Sequence, residues 1–431
     1  MRTATRTSTS RPTSQRRSVR DALVTRLPAP LRLEDARRPL PWRSLLLSAG
    51  GLWLATRVAF VVLTLVFPMV SEGLGTTNGR YSATISLSDL IRRWTIWDAA
   101  WYIRIAKEGY WAARPTAFFP LYPALIRFVS VIIGPHWNLA ALLASNLGAL
   151  LAFCGVGALA AQVAPRGEEL ARSRLALTIF AAYPMAFFLV AAYTDGLFAG
   201  LAAYTLLFAL RRRWGWAAAF AFLAALCRPT APALILPLAW EAFQRYRERR
   251  QETSATQALR ELAPALGACA APIAAIAAYS AWLWLRFGDP LIFITAEKSW
   301  GRMQLPPIVS IPLAIFAFLH IAFGSTFQLR VALDLAPVLG GIALTLIAAR
   351  RAPIAFTLYM LGLMYLITSS PINSVDVFVS GSRYMLAAVP LFIIVASWLR
   401  RSEWALLTYC WTCALLQAAL TLFFLAHGSI L

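Results

Sequence analysis

One stretch concentrates residues able to do chemistry: Trp94-Thr95-Ile96-Trp97-Asp98-Ala99-Ala100-Trp101-Tyr102, continuing through Arg104 and Lys107 to Gly109-Tyr110. A helix here, at about 100° per residue, puts Trp94, Trp97, Trp101 and Ile105 on one face, with Asp98 in the same arc. Arg92, Arg93, Arg104 and Lys107 turn the other way, and Gly109 is a C-terminal stop. Trp and Tyr anchor such a helix flat at a membrane boundary, with its basic residues toward water or headgroups. A carboxylate on the aromatic face has no such role. It is desolvated unless something uses it, so Asp98 is the first candidate for chemistry.

Further polar groups fall near the same boundary: Tyr193-Thr194-Asp195, Arg228, Lys298, Arg302, Arg383 and Tyr384. Trp97, Trp101, Tyr102, Tyr122 and Tyr193 add an aromatic shelf. A carboxylate on such a shelf, ringed by cations, suits a lipid-linked phosphate that carries a sugar. The aromatics stack on sugar and hold lipid, the arginines clamp phosphate, and the carboxylate takes a proton from an acceptor hydroxyl. Each feature also has a plainer explanation. Asp98 could simply pair with Arg93, Arg104 or another cation, Arg57 and Arg228 could pack against buried acids, and Arg383 could snorkel. Tyr193 to Asp195 could cap a helix.

The elements that must position these groups are membrane spans. The chain is 59% hydrophobic and 14% charged, with mean hydropathy +0.64, and several apolar runs of about 17–25 residues are long enough to cross a bilayer. No run alternates as an outer-membrane barrel requires. The fold class is therefore an all-α polytopic membrane protein. Residues 1–44 read as a basic, disordered cytoplasmic tail, and 45–431 as a transmembrane domain of 11–13 spans that includes an extracytoplasmic loop, 71–117, with its amphipathic helix. The spans are expected at about 44–70, 118–134, 138–163, 174–193, 195–210, 214–227, 229–241, 263–287, 308–324, 328–349, 353–369, 383–400 and 403–426. At least two of these must cross incompletely, and the short pair around Arg228-Pro229 and the stretch 308–324 are the expected ones. Arg57 falls inside the first span and is expected to face the protein interior.

The formal net charge of +21 comes almost wholly from arginine, since Lys107 and Lys298 are the only lysines. Arginines cluster in the tail and beside apolar segments, at 211–213, 245–250, 350–351 and 400–401. That is the positive-inside pattern and argues against nucleic acid as the partner. The five cysteines all lie in apolar segments and read as packing residues, Cys410-Trp411-Thr412-Cys413 included. His136, His320 and His427 form no metal constellation.

The order of the motifs is more specific than any one of them. Trp97-Asp98-Ala99-x-Trp101-Tyr102, Phe118-Phe119-Pro120-Leu121-Tyr122-Pro123, Tyr193-Thr194-Asp195-Gly196-Leu197-Phe198-Ala199, Arg228-Pro229-Thr230, Gly288-Asp289-Pro290 and Ser382-Arg383-Tyr384 follow one another over roughly residues 45–400. This series resembles the PIG-V-like mannosyltransferases. The resemblance implies a bacterial GT-C-type multi-span helical bundle in the plasma membrane, with its active site on the extracytoplasmic face. It implies an inverting glycosyltransferase that moves mannose from a polyprenyl-phosphate sugar to a glycan or glycolipid acceptor among the membrane lipids. Asp98 would then be the general base. Arg228, Arg383, Lys298 and Arg302, with Tyr384, would stabilise the phosphate leaving group. Asp195 matches an acidic position that is often Glu in relatives, and its role as ligand, acceptor contact or structural group stays open. Some GT-C enzymes use a divalent cation (Mg or Mn) and others do not, and Asp98 with Asp195 is a thin ligand set. The rival readings are a transporter or flippase for an anionic lipid-linked substrate, which would share cations and broken helices, and a non-catalytic membrane scaffold. Convergence of Asp98, Arg228 and Arg383 on one pocket favours the enzyme; a cavity open to both membrane faces favours transport.

Overall fold

A computed structural model describes residues 31, 38–73, 86–372 and 376–426. Most of the expected 1–44 tail, part of the 71–117 loop, residues 373–375 and His427 lie outside the described residues. Every regular element described is a helix. Five helices are long and apolar enough to cross a membrane: α1 (Trp42–Gly73, apolar over Trp42–Met69), α5 (Trp137–Gln162), α11 (Ala263–Phe287), α14 (Thr326–Ala348) and α18 (Glu403–Leu425). Shorter apolar helices lie between them: α4 (Leu121–Ile133), α7 (Asp195–Leu210), α8 (Trp214–Cys227), α13 (Pro307–His320) and α15 (Ile354–Thr368). The remainder are α2 (Leu87–Arg93), α3 (Asp98–Glu108), α6 (Glu169–Ala182), α9 (Ile235–Glu252), α10 (Ala255–Glu261), α12 (Ile292–Ser299), α16 (Gly381–Tyr384) and α17 (Val389–Leu399). The chain is a polytopic helical membrane protein.

The core is built on α5 and α7, the most extensive helix pair. Small residues bring their backbones together. A Cβ added at Gly196 would lie 2.8 Å from Ala149 Cα, and one at Gly200 only 2.7 Å from Ala152 N. Gly196-x-x-x-Gly200 thus seats α7 against α5 directly after Asp195, which fixes where that carboxylate enters the bundle. Arg57, in α1, faces inward as expected. Its Nε donates to Asn146 Oδ1 at 2.9 Å and its Nη2 to the Leu189 carbonyl at 2.7 Å.

The helices have two chemically distinct ends. At one, Arg38 pairs with Glu169 at 3.4 Å, Arg211 donates to Gln162 Oε1 at 2.6 Å, and Arg400 reaches Glu168 at 3.3 Å. This end collects the arginine runs. At the other end α7 begins, α8 and α15 finish, and the segments before and after them come together.

Two expectations change. The helix expected to start near Trp94 starts at Asp98, because α2 ends at Arg93 and residues 94–97 form a turn in which Trp97 has φ +57°. Trp94 therefore leaves the shared face; it is buried, its indole donating to Thr64 Oγ1 at 3.1 Å. The span expected at 383–400 is broken: residues Gly381–Ala387 and Val389–Leu399 meet at 85°. A broken helix is stable where it lines a cavity and other groups satisfy its backbone. Arg383 lies on the short limb.

Candidate active site

At the end away from the arginine runs, the segments 97–119, 188–193, 227–230, 293–304, 367–372 and 379–387 line a cavity of about 510 Å³. Asp98, as the first residue of α3, faces it, and its side chain is 41% exposed. A carboxylate on the aromatic face of a helix is expected to be desolvated. Instead Asp98 is open to the cavity because its backbone is at a helix start and not in mid-helix. Its cation is neither Arg93 nor Arg104. Arg93 donates to the Leu425 carbonyl, and Arg104 pairs with Glu108 at 2.8 Å.

The partner is Arg383, from almost the opposite end of the sequence. Arg383 Nη1 lies 3.1 Å from Asp98 Oδ2, while its Nε lies 3.0 Å from Asp195 Oδ2. Asp195 in turn lies 2.8 Å from Arg228 Nη2, and Arg228 Nε donates to Thr194 Oγ1 at 2.8 Å. The result is an alternating row, Asp98–Arg383–Asp195–Arg228, in which both arginines and Asp195 are buried. Arg383 also lies against an edge-to-face aromatic pair, 4.4 Å from the Tyr193 ring and 4.9 Å from that of Phe188, the two rings being 5.0 Å apart. Two hydrogen bonds tie the segments that lead into Asp98 and Asp195: the Tyr193 hydroxyl donates to the Ile96 carbonyl at 3.0 Å, and the Ala192 amide to the Trp94 carbonyl at 3.0 Å.

The opposite wall comes from α12 and the turn after it. Arg302 pairs with Glu297 at 2.8 Å and donates to the Tyr384 hydroxyl. Burial raises the Glu297 carboxyl above its ordinary range, Arg302 opposes that rise, and Asp98 adds to it. Asp98 and Glu297 are thus two carboxylates that feel each other across one cavity.

Of the residues expected at the site, Trp97, Asp98, Tyr102, Tyr193, Arg228, Arg302, Arg383 and Tyr384 line the cavity. Asp195 lies beneath it, wholly buried. Trp101 is set back as a support, stacked between Trp111 at 5.9 Å and Phe118 at 5.8 Å and edge-on to Trp300 at 5.1 Å. Tyr122 is fully buried, its hydroxyl on the Ala141 carbonyl, and packs edge-on to Tyr102 at 5.0 Å. Lys298 is exposed on α12 and is not among the lining residues. Glu297, Trp300 and Thr194 also belong to the site or its support. Thr194 stands in the Tyr193-Thr194-Asp195 group expected at this boundary, and Glu297 and Trp300 lie in the loop from Gly288 to Pro307 with Lys298 and Arg302, so the sequence marks their place and not their role. Among the described residues no three His, Cys, Asp or Glu side chains gather as a metal-ligand set; Asp98 and Asp195 are joined through Arg383 instead.

A multi-span helical bundle with an aromatic-walled, acid-and-arginine cavity at one end is a membrane protein built to handle polar groups beside a lipid phase. A family model described as Mannosyltransferase (PIG-V) matches residues 81–320, more than half of the chain. The chain belongs to that family, and so is a membrane glycosyltransferase of the mannosyltransferase kind, working between a sugar donor and a glycan acceptor in the membrane. No curated protein matches the chain significantly. The matched span is narrower than the 45–400 read from the motifs. Asp98, Asp195 and Arg228 fall inside it and Arg383 outside, so the three-dimensional structure is what ties Arg383 to the family's region.

Proposed function

We propose that the protein transfers mannose from a polyprenyl-phosphate donor to a lipid-linked or envelope glycan acceptor, with inversion at the anomeric carbon, at the outer face of the plasma membrane. The observation that carries this reading is the Arg383 fork, which joins Asp98 to Asp195 on the wall of a cavity that also holds Arg228 and Arg302.

The acceptor hydroxyl attacks the anomeric carbon from the face opposite the phosphate. As the bond from carbon to phosphate oxygen breaks, the hydroxyl proton passes to Asp98, which is open to the cavity and able to receive it. The leaving phosphate gains charge, and Arg383, Arg228 and Arg302 are fixed guanidinium donors facing that growing charge. Their cost of reorganisation is low because each is already held by a carboxylate, a hydroxyl or an aromatic face. Trp97, Tyr102 and Phe118 offer apolar faces to the sugar. Lys298, which points to solvent, is left out of the phosphate contacts. Asp195 is a structural counter-charge in this reading, since two arginines cover it and burial keeps substrate away.

The outward orientation is supported by charge alone. The cavity lies at the end opposite the arginine runs, and cytoplasmic loops carry the excess of basic residues. The test is to give purified protein a lipid extract of its own membrane as acceptor, with either mannosyl-phosphate-polyprenol or a mannose nucleotide as donor, and to determine the anomeric configuration of the product by NMR. The proposal expects transfer from the polyprenyl phosphate with inversion. Retention, or use of the nucleotide sugar alone, would overturn it.

A further inference from the structure

α14 carries an acid in the interior of an apolar span: Asp334, 1% exposed. Such a residue is costly and needs partners. Both of its oxygens serve a single target. Oδ2 accepts from the Ser380 amide at 3.1 Å, while Oδ1 accepts from the Ser382 amide at 3.1 Å and the Ser382 hydroxyl at 2.6 Å.

These serines bracket the start of α16, the short limb of the broken span. Ser380 has φ +67°, a left-handed conformation that serine keeps only where its surroundings hold it. Gly381, between them, lies so close to α14 that a Cβ there would sit 3.0 Å from the Asp334 carbonyl oxygen and 2.9 Å from Val338 Cγ2. From the other side the Tyr183 hydroxyl donates to the Ser382 carbonyl at 2.7 Å. One turn earlier on α14, Arg330 reaches Asp376 at 3.5 Å, so the helix grips this segment twice. The next residue along the chain is Arg383.

We propose that Asp334 is the positioning residue for Arg383: it clamps the 380–382 turn so that the guanidinium bridges Asp98 and Asp195 at the cavity wall. The role rests on the proposed reading of Arg383 as a contact for the donor phosphate. The physical argument is leverage. A long side chain rooted in a turn moves at its tip when the turn shifts, and a misplacement of about 1 Å at a reacting centre costs on the order of 10²-fold in rate. Amide and hydroxyl donors hold the Asp334 carboxylate, so the clamp works on the backbone and leaves Arg383 its full charge for the site.

The experiment compares full-length wild type, Asp334→Asn, Ser382→Ala, Arg383→Ala and the double variant Asp334→Asn with Arg383→Ala. Two readouts are taken: hydrogen exchange by mass spectrometry over 376–387, and steady-state transfer per folded enzyme. Asp334→Asn is expected to speed exchange over 380–384, with exchange in α5 and α7 unchanged. It should lower kcat by about 10- to 100-fold and change donor KM less. Ser382→Ala, which removes one bond of three, should give a few-fold version of both effects, and it carries the test should the asparagine variant not accumulate. In the Arg383→Ala background Asp334→Asn should cost nothing further, because residues that act through one another are not additive. Full additivity of the two losses, or unchanged exchange over 380–384 with Arg383→Ala inactive, overturns the role of Asp334 alone. Wild-type transfer by Arg383→Ala would remove the proposed phosphate contact and the positioning role together.

Discussion

Arg383 presents separate guanidinium nitrogens, Nη1 and Nε, to two carboxylates of different standing. Asp98 is 41% exposed, so its pairing with Arg383 is partly screened, while the Asp195 side chain is fully buried between two arginines. The two acids therefore separate by experiment. Breaking a buried pair by removing one partner costs about 3–5 kcal/mol, because the remaining charges stay buried without a counter-charge. A partly exposed pair contributes about 0–1 kcal/mol. Asp195→Ala is thus expected to lower thermal stability in detergent sharply. Asp98→Asn should unfold close to wild type, with its deficit in transfer. Near-equal unfolding of wild type and Asp195→Ala would mean that water reaches the Arg228–Asp195 pair.

At the scale of elements, the site depends on how closely α7 meets α5. Gly200 has no room for a methyl group, since the nearest atoms are backbone and cannot swing away. Gly200→Ala is expected to cost about 1–3 kcal/mol by overpacking and to displace the start of α7, lowering transfer beyond the loss of folded protein. Thermal unfolding and activity per folded molecule measure the two parts. The apolar spans were legible in the sequence because hydropathy alone sets them, and the expected 138–163, 195–210, 214–227, 263–287 and 403–426 agree with helices to within a residue or so. The break at Ala388 has a local mark in Pro390, which stands in the first turn of α17, but hydropathy over 383–400 does not register it, and the short limb before it is held from α14 across the bundle. The turn at 94–97 was not legible, because Trp97 at φ +57° is not a turn-forming residue type and the turn is held from another segment, by the Tyr193 hydroxyl on the Ile96 carbonyl and the Ala192 amide on the Trp94 carbonyl.

Over the whole molecule, Asp98, Thr194, Asp195, Tyr193, Arg228, Lys298, Arg302, Arg383 and Tyr384 are expected near one boundary; all but Thr194, Asp195 and Lys298 line one cavity, the first two being buried and Lys298 exposed. Their identity as a group was legible because polar side chains at the ends of apolar spans are few. Who pairs with whom was not, since sequence order says nothing about which helix ends meet. Asp334 did carry a signal, as an acid inside an apolar run, and its meaning emerges only with Ser380 and Ser382 beside it. The charge asymmetry between the two ends predicts orientation. In a background without cysteine, Ala112→Cys beside the cavity end should react with an impermeant maleimide in intact cells, and Ala255→Cys near the arginine runs only after lysis. The reverse pattern would place the cavity in the cytoplasm.

The account turns on Asp98 as the group that takes the acceptor's proton. The most direct measurement is sugar transfer from radiolabelled mannosyl-phosphate-polyprenol in membranes that overexpress the chain, wild type beside Asp98→Asn at matched folded protein, with endogenous lipids as acceptors. A general base contributes about 10²- to 10⁴-fold, so transfer by wild type and its loss by at least about 10²-fold in Asp98→Asn is the predicted result. Equal transfer by the two would contradict it.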